Sequence, residues 1–412
     1  MTQRIELNQV IDAAPARVVL TRDADGGVVS AAFDLTGLPR VDALLAGRPL
    51  LEIPGLVEHL CGICPTAHHL AGMRALESLA GVAALPPTAM AVRRLLHHAG
   101  IIATHLVGFV TTDQDDALTL RRFAKAVMTA TGSPGHFPVT AVPGGVVGCV
   151  DVAQRDACLA LVPDALAAAR RLAEARLPGA GIPDAYPGAD VALVDAAGRL
   201  DLLGETLRAV GADGRELLHA GAGQWDSLVA ESDPGSPAPR PYLVALGASA
   251  GSYRVGPVAQ LRVGTVATPV ASGLQAAWRE AGGGAAAARA VVMVACVEAI
   301  QQLLDAPEAV AGPPAVDWPG TLPAGVGVGW VDSARGLLVH RYATAGDGLV
   351  SSATILTPTA QNEPWLGELL RSAAGGAAGG IEDAIREADP CLPCSTAPAG
   401  TMDLVVETKE RG

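Results

Sequence analysis

Apolar residues recur every three or four positions through most of the middle of this chain, the spacing that puts them on one face of a helix. That period covers residues 66–80, 92–111, 117–130, 152–175 and 286–304, with shorter stretches at 363–373 and 381–388. A bundle of helices is the expected centre. Near the start, Val18-Val19-Leu20 and residues 28–33 flank Asp23-Ala24-Asp25-Gly26-Gly27, which reads as a β-hairpin. Residues 337–342 and 349–356 flank Ala345-Gly346-Asp347-Gly348 in the same way and predict a second hairpin. Gly/Pro-rich stretches at 177–188, 233–241 and 311–327 interrupt the pattern, but none is long or polar enough for a flexible linker. Residues 281–288 and 375–380 read as small-residue loops or helix ends, and no internal repeat is visible. The expected fold is α+β and predominantly α. A central helical bundle is flanked by small antiparallel β elements at the chain ends, in one domain covering 1–412.

Composition narrows the picture. Half the residues are hydrophobic, only 3% are aromatic and 48 are glycine, so the core must be built from small side chains packed closely along helices. A net charge of −13 argues against nucleic acid or an anionic membrane as partner. The longest apolar stretch, around 101–110, contains His105 and falls short of the roughly 20 residues that cross a bilayer, so no transmembrane helix is expected. The first residues, MTQRIELNQV, lack a basic segment followed by an apolar one. Seven mostly scattered cysteines suit a reducing compartment, and the chain is expected to be cytoplasmic.

Candidate chemistry sits in two Cys-x-x-Cys pairs, Cys61/Cys64 and Cys391/Cys394, at opposite ends of the chain. Structural zinc usually takes both pairs from one compact segment, about 15–20 residues apart. Here most of the protein separates them, which points to a central metal site between the N- and C-terminal pairs. A dithiol redox centre at Cys61/Cys64 and unrelated buried cysteines are the alternatives. Cys149, Cys158 and Cys296 have no neighbour at ligand spacing and are read as buried apolar residues. Pro65 permits a helix to begin just after Cys64, so both sulfurs would face its positive end. His68, one turn on, could ligate directly or donate a hydrogen bond to a ligand sulfur. Asp389-Pro390 breaks the short helix at 381–388 and presents the second pair from a turn.

In chain order, Arg4-Ile5-Glu6, Leu45-Ala46-Gly47-Arg48-Pro49, CGICPTAHHLAGMRALE from Cys61, HFPVTAVPGGV from His136, RVGPVAQL from Arg254, ARGLLVHRY from Ala334, LTPTAQN from Leu356 and DPCLPC from Asp389 resemble the large subunits of nickel–iron hydrogenases. The likeness is to the soluble, cofactor-coupled group in particular, and it spans essentially the whole chain. It implies a nickel–iron centre held by Cys61, Cys64, Cys391 and Cys394, with cyanide and carbon monoxide on iron. Cys61 and Cys391 would be terminal on nickel; Cys64 and Cys394 would bridge to iron. Hydrogen would be split heterolytically, with a nearby base taking the proton. Arg335 matches an arginine poised above the metals, and His68 a donor to a bridging sulfur. Asp42 stands where the family has a proton-relaying glutamate, and Glu6 matches a magnesium ligand. Implied partners are an iron–sulfur small subunit together with hydrogenase maturation proteins.

Several positions depart from the family pattern. His59 stands for an arginine, Asp332-Ser333-Ala334 for Glu-Ala-Pro, Leu7-Asn8 for Gly-His and Ala397 for a histidine that ligates magnesium and marks where a C-terminal peptide is removed. Residues 402–407 alternate like a strand, so the tail is expected to stay attached. Retention of four cysteines and Arg335 points to a catalytic large subunit. The departures leave open a non-catalytic homologue that scaffolds assembly of the iron–dicyano–carbonyl unit, or a sensor.

Overall fold

A computed structural model describes residues 16–35, 42–177, 186–236, 238–318, 322–375, 380–392, 395 and 400–410. Its first sheet joins the two ends of the chain. Strands β1 (Ala16–Arg22) and β2 (Val28–Phe33) form the expected hairpin, and β14 (Leu404–Glu410) pairs in parallel with β1 from Ala16 opposite Leu404 to Arg22 opposite Glu410. The end sheet is therefore mixed and not purely antiparallel. The alternation at 402–407 signals a strand but not the direction of its distant partner.

Two short helices, α1 (Asp42–Leu45) and α2 (Ile53–Val57), lead to α3 (Pro65–Leu79), which carries the first cysteine motif at its start. The bundle follows: α4 (Pro87–His105), α5 (Gln114–Ala130), then α6 (Val152–Arg176), with the small ribbon β3 (Ala141–Val142) and β4 (Gly145–Val146) before α6. These helices pack pairwise, together with α10 (Ala285–Asp305), around a core rich in alanine and valine, as the shortage of aromatics requires. α10, and not the stretch at 101–110, is the helix long and apolar enough to cross a bilayer by length and composition alone, yet it packs against α4, α6 and α9 (Pro269–Glu280). Two of its charged groups are spent inside the protein. Glu298 accepts from the backbone N–H of Val270 and Ala271, 2.9 Å each, at the orphan N-terminus of α9; Arg289 donates to the carbonyl of Glu387.

The middle of the chain holds a sheet the helical period did not foreshadow. It has the order β10-β5-β6-β7, from β5 (Ala189–Val194), β6 (Thr206–Val210), β7 (Glu216–Gly221) and β10 (Tyr253–Arg254). Every residue of β5 is buried, so its six-residue run lacks the alternation that marks a half-exposed strand. Between β7 and β10 come α7 (Trp225–Leu228) and the ribbon β8 (Val229–Glu231) with β9 (Pro241–Leu243); α8 (Pro257–Val263) follows β10. The late hairpin forms as β12 (Gly336–Thr344) and β13 (Ser352–Leu356), extended by β11 (Gly325–Ser333). Finally α11 (Pro358–Ala373) and α12 (Gly380–Ala388) lead to the second cysteine motif.

α3 lies directly on β11. A Cβ added at Gly327 would come 2.1 Å from the Ala75 carbonyl oxygen, and one at Gly329 2.2 Å from the Ala75 nitrogen, so the alternating glycines of this strand let helix backbone touch strand backbone. On its other side, α3 is clamped by Glu77. Its carboxylate takes two hydrogen bonds from Arg93 of α4, at 2.8 and 2.5 Å, and one from the Gly144 N–H, while Arg93 also donates to the carbonyls of Val142 and Gly145. Arg93 is 1% exposed, so this ion pair is buried and fully hydrogen-bonded. Of the cysteines read as apolar filler, Cys158 and Cys296 are buried, but Cys149 is exposed, in the loop after β4 that leads to α6.

Candidate metal centre

Cys64 is the residue before α3, and Pro65 opens the helix as the spacing predicts. Among the described residues no side chain caps that helix start, so the positive end of its dipole lies beside the motif. Thr104 of α4 donates to the Ile63 carbonyl and pins the loop between the two cysteines to the bundle. The second motif arrives by a turn. Asp389 and Cys391 both adopt left-handed backbone, φ 48° and 58°, a conformation that costs a non-glycine residue about 1–3 kcal/mol. The Thr359 hydroxyl donates to the Pro390 carbonyl, and the Ser395 hydroxyl to Asp389 Oδ1 at 3.0 Å and the Leu392 carbonyl at 2.9 Å.

These two presentations bring sulfurs 330 positions apart in sequence to 3.4 Å, Cys61 Sγ to Cys391 Sγ, and put Cys64 Sγ 3.9 Å from Cys391 Sγ. The trio shares its protons unequally. The hydrogen bond from Cys391, aided by Cys64, holds the Cys61 thiol far below its usual range, while contacts with Cys391 and Cys61 push Cys64 up and the contact with Cys61 pushes Cys391 up. One sulfur thus sheds its proton readily, and a bound cation would draw the others down after it. Cys394 and Glu6 lie outside the described residues, as does position 397.

Arg335 comes from the turn between β11 and β12 and is 6% exposed. Its Nη2 donates to Asp389 Oδ1 at 3.0 Å, whereas its Nε and Nη1 are buried with no hydrogen-bond partner among the described residues. Burial works against its charge, but Asp389 and the sulfurs of Cys391 and Cys64 outweigh that and raise its pKa. Asp389 is held low by the same pairing against its own burial. Sequence reasoning treated Asp389 only as a helix breaker. Its partner is 54 residues away, so no local spacing exposes the pair.

The Arg-Val-Gly-Pro element supports this turn. Gly256, at φ 98°, leaves room where a Cβ would stand 2.7 Å from the Arg335 carbonyl oxygen, and the Asn362 side chain accepts from the Val255 N–H. Asp332, in the Asp-Ser-Ala departure, is buried beneath it and accepts from Gln260 Nε2 at 2.6 Å and from the Leu193 N–H at 3.1 Å. Burial raises its pKa to about 7 despite those donors.

A cavity of about 400 Å³ opens over the sulfurs, lined by Asp42, Cys61, Cys64, His68, Arg335 and Cys391 among others. Asp42 and His68, singled out from sequence, therefore face the same space as the cysteines. A second cavity of about 650 Å³, walled largely by apolar residues such as Ile63, Ile101, Leu106 and Met128, reaches Cys64 from the bundle side. His68 is buried, with Nδ1 3.1 Å from His340 Nε2; desolvation, against the pull of Cys61, lowers its pKa to about 4. His340 escaped sequence reasoning because nothing at helical or ligand spacing links it to His68.

Residues 40–133 match the family described as nickel-dependent hydrogenase. Along most of its length the chain is 28% identical to one of the subunits of the vhu F420-non-reducing hydrogenase of Methanococcus voltae, covering 87% of this chain and 94% of that one. It is 26% identical to the beta subunit of the NAD-reducing hydrogenase HoxS of Cupriavidus necator, over 95% and 93%. A crystal structure of an NAD+-reducing [NiFe]-hydrogenase in the H2-reduced state superposes with a TM-score of 0.79 at 28% identity, covering 91% of this chain and 95% of the other. By these matches the chain resembles nickel-dependent hydrogenase subunits along most of its length. A [NiFeSe] hydrogenase from Desulfovibrio vulgaris Hildenborough, at 18% identity and a TM-score of 0.68, shares the fold. The likeness implies a Ni-Fe centre, and the donors fit: the sulfurs of Cys61, Cys64 and Cys391, with no carboxylate grouped among them, form a soft set suited to nickel and iron and ill suited to magnesium.

Proposed function

We propose that the chain is the catalytic large subunit of a nickel–iron hydrogenase, splitting or forming H2 heterolytically. The observation that carries this is the convergence of Cys61, Cys64 and Cys391 beside the buried cation of Arg335. Cys61, Cys64, Cys391 and Cys394 would hold the nickel–iron centre, whose iron would carry cyanide and carbon monoxide. When bound, the centre supplies a redox-active Lewis acid at which the H–H bond is polarised.

The residues of the chain do the remaining work. Arg335 holds a fixed positive charge at the cavity, where excluded water makes it count most. Asp42, on the cavity wall, is read as the proton carrier, and His68 as a donor to a sulfur. Each H2 yields two protons and two electrons. The protons leave through such groups, and the electrons need a partner bearing iron–sulfur clusters, because seven cysteines less four leave too few for a relay here. Glu6 is retained as the candidate magnesium ligand. Maturation proteins would deliver the iron unit in a cytoplasmic setting.

Metal analysis with infrared spectroscopy on natively expressed protein tests the reading. Nickel and iron together with cyanide and carbonyl bands are expected. Those bands without nickel would favour the scaffold reading instead, and zinc alone would sink both. The tail is a separate matter. The pairing of β14 with β1 supports a single domain over 1–412 whose segment after the second cysteine motif stays attached, so intact mass should include residues 404–410; a mass ending near residue 397 overturns this.

A further inference from the structure

Behind the cysteines, His68, His340 and Tyr342 form a buried chain. His68 Nδ1 lies 3.1 Å from His340 Nε2, and His340 Nδ1 lies 2.5 Å from the Tyr342 hydroxyl. Each contact holds one proton between two atoms, so for neutral rings the chain can run in two directions. In the first, Tyr342 donates to His340, His340 donates from Nε2 to His68, and His68 carries its own proton on Nε2. In the second, every bond is reversed and His68 presents a bare lone pair at Nε2.

The tyrosine decides between them. A phenol has one proton, and in the reversed order that proton would have to find another acceptor. Among the described residues the hydroxyl has no hydrogen-bond partner but His340. Around it the packing is apolar: a Cβ built on Gly72 would lie 3.3 Å from the hydroxyl oxygen, 3.3 Å from Pro54 Cα and 3.4 Å from Val57 Cγ2. Tyr342 itself belongs to the apolar cluster of Leu50, Ile53, Val57 and Leu76, with no exposed surface. A buried hydroxyl proton without an acceptor is strongly disfavoured, so the first direction wins.

We infer that Tyr342 and His340 are positioning residues that hold His68 as its Nε2–H tautomer, so that it meets the cavity as a hydrogen-bond donor to cysteine sulfur and never as a metal ligand. This rests on the reading of Cys61 and Cys64 as metal-binding thiolates. A donor there draws charge from the sulfur and fixes its orientation, whereas a lone pair would face the thiolate charge.

The test is a long-range proton–nitrogen correlation spectrum of the full-length chain with histidines labelled in nitrogen-15, assigned with His68→Gln and His340→Gln. Both rings are expected to be protonated at Nε2 only. In Tyr342→Phe the order loses its source, and His340 should take up Nδ1–H in a substantial fraction of molecules. A ring protonated at Nδ1 in the unaltered chain overturns the inference, and so does a folded Tyr342→Phe with both tautomers unchanged. Should Tyr342→Phe fail to fold, the spectrum of the unaltered chain still decides. These tautomers are read without reference to metal content, so their presence in a protein that retains no nickel would fault the proposed function and leave the chain of hydrogen bonds standing.

Discussion

The two halves of the cysteine site are built by opposite means. Cys61 and Cys64 precede a 15-residue helix, wedged between glycines of β11 on one side and the Glu77–Arg93 clamp on the other, so their position is set by packing spread over many residues. Cys391 stands in a turn with two residues in left-handed backbone, held by a few side-chain hydrogen bonds and the Arg335–Asp389 pair. A helix can carry a ligand because its own bonds define the direction of its start. A turn cannot, and needs external ties. Damage to the first half should therefore appear as lost stability, and damage to the second as a misplaced sulfur in a protein that remains folded.

The largest effect should come from Arg93→Ala. It leaves the Glu77 carboxylate buried without its cation, and breaking one side of a buried pair costs about 3–5 kcal/mol. Urea unfolding measures it. A loss under about 1 kcal/mol would mean that the clamp does not hold α3, and the contrast between the halves would fail.

A smaller, pH-dependent effect belongs to Asp332, which supports the Arg335 turn from below. Its folded pKa is near 7, above the 3.8 of the free carboxyl, and burial is the cause. The folded state thus keeps a proton that the unfolded chain releases. That stabilising contribution is whole below about pH 4 and is lost as pH rises through 7. One proton limits the slope to about 1.4 kcal/mol per pH unit. Asp332→Asn removes the titrating group, so unfolding free energies between pH 4.5 and 7.5 should fall less steeply than in the unaltered chain. Equal slopes would place the proton elsewhere.

The same contrast governs what the sequence made legible. Helices α3, α4, α5, α6 and α10 follow from periodicity, and Pro65 fixes where the first motif meets its helix, because these are local signals. The gathering of the cysteines was readable for a different reason. Soft ligands at both ends of a chain have few bland explanations. What escaped is non-local: the fully buried strand β5, the parallel pairing of β14 with β1, the partnership of Asp389 with Arg335, and His340 behind His68. In each case two residues far apart in sequence meet through packing, and neither alone carries a pattern.

The smallest expected effect is the sharpest probe of the turn. Ser395→Ala removes the hydroxyl that bonds both Asp389 and the Leu392 carbonyl, and a hydrogen bond of this kind contributes about 0.5–1.5 kcal/mol. Because α3 and the bundle do not depend on it, global stability should drop by no more than that. The turn around Cys391 loses one of its few ties, however, and the metal site should suffer out of proportion, with nickel retained during dialysis against a chelator falling by about 10-fold. The ratio of the two losses is the quantity to read. If Ser395→Ala weakened metal retention no more than stability, the second motif would be held by the fold at large, and the two halves of the site would be built alike.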